Sequence, residues 1–479
     1  MEFLEEHLIL RNTVRDRMRK PDIQEMIKKY ELHGAPFAWE FVSSMAELGL
    51  TGINIPEEYD GAGMDNLSGV IAMIEMSRVW SGGALILAVG NSLVSYPVAK
   101  FGTESQKRQW LPDLAAGKIL GSFGLTEPGH GSDAGHINET YAEEKYTCWL
   151  VSGQKHFITN IPAAKFIVLF ARTKRQLKDS QGITAFLVPI LTKGNDSIIK
   201  IPEPNHKLGN HAAQMGTIFF EHYPVLPFEM LGKQERGFGV AMSTLAHGRN
   251  WIAAQAIGVM EHALELALAQ TENRVTFEKP LNKRSSICEA ITRLKAAIDI
   301  SKVLLFYSVK LEDEGKAFYP HASLAKLFSS EAARALVQEV QKMHGGTGYV
   351  MESPITPLVA DSVVFDIYEG ASNVQRSVIA DAWIDGKIPV RVPPFYQQEF
   401  KDFKARVKSH LKGKGALELE DQQLPFQAAD ILPWWVAKDL IRDEFKVWPK
   451  EFMNFQDPSL LLSHICRQIK RDWNQINAI

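Results

Sequence analysis

The segment Phe365-Asp-Ile-Tyr368-Glu369-Gly370 sets an acid among Phe, Ile and Tyr and ends on a glycine. A carboxylate in such company is poorly solvated, so its charged form is disfavoured and its basicity rises. A base of that kind suits removal of a weakly acidic proton. The plainer alternative is an acid that ends a strand or opens a turn and faces water.

Other clusters carry groups suited to a ligand. Thr126-Glu-Pro128-Gly129-His-Gly131-Ser132-Asp133 combines glycines, exposed N–H groups and a serine hydroxyl, the materials of a phosphate nest. Its Gly129-His-Gly131-Ser-Asp-Ala134 string mimics a dinucleotide fingerprint, but Pro128 precedes it, no crossover helix follows and no acid stands about 20 residues on. A plain structural loop is the alternative. His344-Gly345-Gly346-Thr-Gly348-Tyr349 is a second low-bulk turn, equally suited to capping a helix. Gly153-Gln-Lys-His-Phe157-Ile-Thr159-Asn160 places an aromatic two residues from a hydroxyl, a pair able to cover a flat heterocycle or to serve as core and surface. Arg249 and Arg274 suit a phosphate or a surface ion pair. His206 and His211 lie near a strand with no cysteine and no HExxH, so no metal site is expected, and no G-x-S-x-G elbow supports hydrolysis.

These residues need positioning elements. Apolar spacing of three and four in Phe41–Leu48 and Val70–Met76 predicts helices in residues 1–118, and Thr103 is placed to cap another. Short β-branched and aromatic runs at 148–152, 166–170, 183–188, 198–201 and 217–220 predict a central antiparallel β domain over 119–232. Helices return from about Gly237, with Ala253–Leu264, Ile298–Val309 and Ser329–Met343 in an expected bundle over 233–387. The expected fold class is therefore α+β and multidomain, an all-α domain, an antiparallel β domain and a four-helix-bundle-like domain. A connector, Ile388-Pro-Val-Arg-Val-Pro393-Pro394, leads to 388–479, where Trp434, Trp435, Trp448 and Trp473 predict a folded helical appendage.

Of 479 residues, 53 are Lys or Arg and 56 Asp or Glu, a net charge of −3 that gives no pull toward nucleic acid. Cys148, Cys288 and Cys466 form no CxxC pair and suit a reducing compartment. No stretch reads as a bilayer span, and the acidic start Met1-Glu-Phe-Leu-Glu-Glu-His lacks the pattern of a secretory signal, so a cytoplasmic protein is expected.

In this order the pieces resemble the acyl-CoA dehydrogenase family. The resemblance runs from Leu48-Gly-Leu-Thr-Gly-Ile-Asn-Ile55-Pro-Glu-Glu-Tyr59-Asp-Gly61-Ala-Gly63 through Phe101–Lys107, Leu125–Asp133, Gly153–Asn160, Gly248-Arg249 and Arg274-Val-Thr-Phe277 to His344–Gly348 and Tyr368-Glu-Gly370. It implies FAD held between the β domain and the C-terminal helices, with Phe123, Leu125, Thr126, Ser132, Phe157 and Thr159 on the flavin side. It implies that Arg274, Thr276 and Phe277 reach the FAD of a partner subunit, in a homodimer or homotetramer. Lys342, Gly345, Gly346, Ala371 and Asn373 complete the implied cofactor contacts. Ser132, Arg249, Tyr368 and Gly370 would meet the acyl-CoA, and Glu369 matches the base that takes the α-proton. Electrons would pass to an electron-transfer flavoprotein, in the cytoplasm or, for a processed eukaryotic protein, the mitochondrial matrix. An oxygen-using acyl-CoA oxidase and a non-catalytic acyl-CoA-binding relative are the alternatives. Some relatives place the base where this chain has Gly248, which cannot act as one. Lys342 and Ser285 replace usual Gln, Ala371 a usual Thr, Phe157 a frequent Trp and Asp60 a usual Gly.

Overall fold

A computed structural model describes residues 3–177, 179–190, 198–392, 397–411, 415–416, 422–445 and 450–477. Trp448, Pro393 and Pro394 lie outside the described residues. Packing divides the chain into two compact units, Thr13–Trp251, and Met1–Asn12 with Ile252–Ile479.

The chain opens on α1 (Glu5–Met18), α2 (Pro21–Tyr30), α3 (Trp39–Ala46), α4 (Asn66–Ser77), α5 (Ser81–Ala88), α6 (Tyr96–Phe101) and α7 (Glu104–Ala115). Local chemistry sets their ends. Asp65 accepts from the Ser68 N–H at the start of α4. Thr103 and Gln106 form a reciprocal capping box on α7, as the threonine predicts. Gly49 at φ 71° closes the turn after α3. Asp60 sits at φ 62°, a left-handed turn position that suits glycine and that aspartate tolerates. The three- and four-residue spacing in α4 finds the helix but understates its cover, since Leu67–Ser77 are buried on every face.

The sheet strands are β1 (Gly121–Gly124), β2 (Tyr141–Lys145), β3 (Cys148–Thr159), β4 (Phe166–Arg172), β5 (Ile183–Pro189), β6 (Ile199–Lys200), β7 (Met215–Val225) and β8 (Met230–Leu231). They run in the order β6-β7-β3-β2-β4-β5-β8, with β1 on β4. Pairing is antiparallel except for β1–β4 and the single Tyr141–Arg172 pair of β2–β4. The parallel pairs arise because the loop 125–140 carries the chain back without reversing it, so β1 and β2 both run with β4. Trp149, Val151, Ile158, Ile167, Leu169, Phe186, Ile218 and Phe220 lie in the apolar core of this sheet.

α8 (Gly237–Asn273) leads into a small hairpin, β9 (Val275–Thr276) and β10 (Lys279–Pro280). Then come α9 (Ser285–Asp313), α10 (Tyr319–Met343), α11 (Ile355–Ser362) and α12 (Ser372–Ile384). The tail forms α13 (Gln397–Leu411), α14 (Gln423–Asp443) and α15 (Pro458–Asn477). Trp383, Phe400, Phe403, Trp435 and Trp473 pack as one aromatic cluster. Asp299 on α9 accepts from the Asn454 and Phe455 N–H groups and the Asn454 amide, and Lys302 donates to Glu261 and the Phe452 carbonyl. The appendage is therefore tied to the bundle by buried polar bonds as well as by aromatic area.

Two helices bear on the expectation that no stretch spans a bilayer. Ser81–Phe101 and Gly237–Asn273 are long and apolar enough to cross a membrane by length and composition. Their apolar windows are 89% and 72% buried inside the protein, which accounts for the composition as that of core helices.

Candidate active site

In the unit Thr13–Trp251, the loop 125–140 is built around a buried ion pair. Lys155 Nζ donates to Glu127 Oε1 at 2.7 Å and to the Leu125 carbonyl at 3.0 Å, and both side chains are wholly buried. Glu127 also accepts from the N–H groups of Asn138, Glu139 and Thr140. Burial raises the pKa of Glu127, but the Lys155 ammonium and these N–H bonds outweigh it and leave the carboxyl below its usual value. Burial pulls Lys155 down to about 8, against the attraction of Glu127. Arg172, also buried, donates to the Gly135 and Ile137 carbonyls and ties the far side of the loop to β4.

This knot uses N–H groups that the sequence reading offered to phosphate. The Gly129 N–H goes to Glu139, and Glu127 and His130 bond each other's carbonyls. Gly131, Ser132 and Asp133 form the exposed end of the loop, so Ser132 keeps its candidacy while Gly129 loses it. Thr126 is half-buried, and the His156 N–H donates to its carbonyl, which sets it beside the strand that carries Phe157. Phe123 lies on β1 with its ring 5.0 Å from Phe170, and Leu125 is buried.

β3 breaks its register on β7 between Lys155 and Ile158. At that bulge Phe157 adopts φ 59° and turns outward, 57% exposed, with Ile158 buried and Thr159 half-buried beyond it. A bulky residue at positive φ is a genuine outlier, and bulges commonly re-aim a side chain next to a site. The aromatic and hydroxyl pair therefore flanks a buried residue on an open strand surface. Gly248 and Arg249 are buried in the first turns of α8, with Tyr96 stacked on His247 one position earlier at 4.1 Å.

In the unit containing Ile252–Ile479, Tyr368 to Asn373 form one turn at the start of α12. Glu369 and Gly370 hold successive left-handed conformations, φ 53° and 101°. One Glu369 oxygen, Oε2, is buried. The Tyr368 hydroxyl donates to Gln255 Oε1 on α8 at 2.5 Å, and burial, then the Glu369 charge, push its pKa well above the usual phenol range. Lys326 Nζ, fully buried on α10, donates to the Gly370 carbonyl at 2.8 Å. Ala371 caps α12 without a side-chain bond, the consequence of lacking the hydroxyl expected there, and Asn373 is exposed on the first turn.

Lys342, Gly345 and Gly346 are exposed at the other end of α10. Sixteen positions of helix separate Lys326 from Lys342, about 24 Å along the axis, so this group and the Glu369 turn stand well apart. A Cβ on Gly345 or Gly346 would find nothing within 4 Å, which leaves open room there. Arg274 and Phe277 are exposed on the β9–β10 hairpin and Thr276 half-buried, with Phe277 91% exposed at φ 47° and Glu278 at φ 65°. The Arg284 guanidinium donates to the Thr276 carbonyl.

Glu127, Lys155, Gln255 and Lys326 were not singled out by the sequence reading. Their signal is faint: Lys326 is a cation inside an otherwise apolar and small-residue run with buried neighbours, and Lys155 sits between polar residues that do not mark it out. Elsewhere, His33 stands 5.5 Å from His206 and 4.1 Å from His211, ring to ring. Among the described residues no group of three or more His, Cys, Asp or Glu is arranged to hold a metal ion.

The residues suit a flavin dinucleotide in kind. In the unit Thr13–Trp251 the outward Phe157 with Thr159 offers a face and a hydroxyl suited to a flat ring, and the Ser132 loop is open; in the other unit, taken by itself, Lys342 and the Gly345–Gly346 opening offer charge and room suited to a phosphate. Comparison with known proteins agrees. The N-terminal, middle and C-terminal domain profiles of acyl-CoA dehydrogenase match residues 4–118, 122–223 and 235–384. The mitochondrial short-chain specific acyl-CoA dehydrogenase of Bos taurus is 39% identical over 380 residues, 79% of this chain and 90% of that protein. The structure of butyryl-CoA dehydrogenase from Megasphaera elsdenii superposes with TM-score 0.76 at 32% identity, covering 80% of this chain and 99% of that one. An acyl-CoA dehydrogenase from Bacillus anthracis complexed with FAD shares the fold over 98% of this chain and 87% of its own, with TM-score 0.84 at 23% identity. That likeness of fold extends into the C-terminal helices. The chain belongs to the acyl-CoA dehydrogenase family and is an oxidoreductase with FAD as its cofactor.

Proposed function

We propose that this protein converts a saturated acyl-CoA to its trans-2-enoyl-CoA, with Glu369 as the base and an electron-transfer flavoprotein as electron acceptor. The observation that carries the reading is the Glu369–Gly370 pair, a strained left-handed turn that presents a carboxylate with one buried oxygen. Strain of this type persists only where the surroundings fix it, and it clusters at functional sites. Relatives named for short-chain and butyryl substrates support a short acyl chain.

Glu369 takes the α-proton. Tyr368 does not compete for it, because its pKa lies far above the working range and its proton is committed to Gln255. Gly248 offers no second base. Bound FAD supplies the acceptor for the β-hydride. Phe157 and Thr159 orient that ring, Phe123, Leu125 and Thr126 line its approach, and Ser132 and Arg249 meet the thioester side. Tyr368 and Gly370 wall the reacting carbon. Lys342, Gly345, Gly346, Ala371 and Asn373 serve the dinucleotide. The hairpin with exposed Arg274 and Phe277 and half-buried Thr276 serves a second copy of the chain, and the strained, outward Phe277 supports a homodimer or larger assembly. Residues 1–118, 119–232, 233–387 and 388–479 act as four functional parts, working in the cytoplasm or, in a eukaryote, the mitochondrial matrix.

The test is anaerobic mixing with butyryl-CoA, which should bleach the flavin in the native protein and leave it coloured in Glu369→Gln. Bleaching that survives the substitution removes Glu369 from the role. Peroxide release during aerobic turnover would make the protein an oxidase. A colourless protein that takes up no FAD would make it a non-catalytic relative.

A further inference from the structure

We infer that Lys326 is a positioning residue for Glu369, holding the turn that aims the carboxylate from a fixed point on α10. The inference rests on the reading of Glu369 as the base. Glu369 and Gly370 stand at positive φ in succession, a conformation that for the glutamate costs free energy unless its surroundings fix it. The structure shows what fixes them. On the N-terminal side Tyr368 is tied to Gln255 of α8, and on the C-terminal side Lys326 of α10 holds the Gly370 carbonyl. Glu369 lies between these two anchors, and each is planted in a long helix rather than in a loop. Rotation of the Glu369 backbone toward ordinary φ would swing the Gly370 carbonyl away from the ammonium.

Lys326 is a buried cation. Its side chain is fully buried, among the buried Ala322, Ser323, Ser329 and Ser330 of its own helix. A buried cation carries a desolvation cost that an apolar residue of similar length avoids. Its retention is explained if the return is geometric: a carboxylate directed at one carbon to within the tolerance of proton transfer.

Three variants decide it, each prepared as the full-length FAD-loaded protein and mixed anaerobically with butyryl-CoA and its α,α-dideuterated form. Lys326→Met should keep FAD content and KM within about twofold, slow bleaching by about 100-fold and enlarge the α-deuterium isotope effect, the pattern of a displaced base. Gln255→Leu, which releases the other anchor, should move the same readouts in the same direction. Glu369→Gln calibrates the series by removing the base itself. Bleaching and isotope effect unchanged in Lys326→Met, with Glu369→Gln inactive, overturn the positioning role and spare the assignment of the base. Bleaching that persists in Glu369→Gln overturns that assignment first. If Lys326→Met fails to fold, Lys326→Gln is read by the same ratios, and loss of FAD and melting temperature in both makes the lysine structural and overturns the proposal.

Discussion

Lys155 and Glu127 decide the shape of the loop that carries Thr126, although neither reaches outward. Removing one member of such a pair leaves an uncompensated charge in a dry interior. Lys155→Met should cost about 3–5 kcal/mol, seen as a lower urea midpoint with an unchanged slope. Adding Glu127→Leu should recover part of that and no more, because the Asn138, Glu139 and Thr140 N–H groups then lose their acceptor. A double variant as stable as the native chain would show that the pair does not hold the loop. These residues also mark the limit of the sequence. Glycines and a serine advertised an anion nest, yet the Gly129 N–H is consumed by Glu139. Only the fold shows that, because nothing in the local pattern pairs Gly129 with an acid ten residues on. Glu369, in contrast, was legible as a candidate because its apolar company and its glycine are its immediate neighbours.

At the level of elements, β3 to β7 and the long helices could be read because their periodicity is local. β1 escaped notice, since two of its four residues are Gly121 and Gly124. The packing explains them: an added Cβ would stand 2.6 Å from Val94 on the first and 2.5 Å from Ile167 on the second. The bulge that turns Phe157 outward was likewise invisible, being a mismatch between two strands rather than a property of one. α10 carries a prediction of its own. Burial holds His321 down to about 4 from the ordinary 6.5. Between those values the unfolded chain binds a proton that the native one refuses, so stability falls as the pH drops through that window. The slope should approach ~1.4 kcal/mol per pH unit at its steepest. His321→Leu should flatten the decline in melting temperature between pH 6.5 and 4; an unaltered decline would place the acid sensitivity elsewhere.

For the molecule as a whole, the appendage past residue 388 was foreseen as folded from its tryptophans, but its manner of attachment was not. Asp299 accepts hydrogen bonds from Asn454 and Phe455 across more than 150 residues of sequence. Asp299→Ala strands those donors and should cost about 2–4 kcal/mol, with earlier proteolysis in residues 450–477 as the local sign. Equal loss of protection throughout the chain would instead mean that the appendage unfolds only together with the bundle. The opening residues share this attachment. The Phe3 ring lies 4.7 Å from Phe452 and 5.2 Å from Phe306, and Arg11 donates to the Glu451 carbonyl, 440 residues downstream. On a ribosome adding about 5–20 residues per second, that bond waits roughly 20–90 seconds for its acceptor to be made. Throughout that wait Phe3 lacks the Phe452 ring that covers it in the folded chain, so the two ends of the sequence close their shared cluster last.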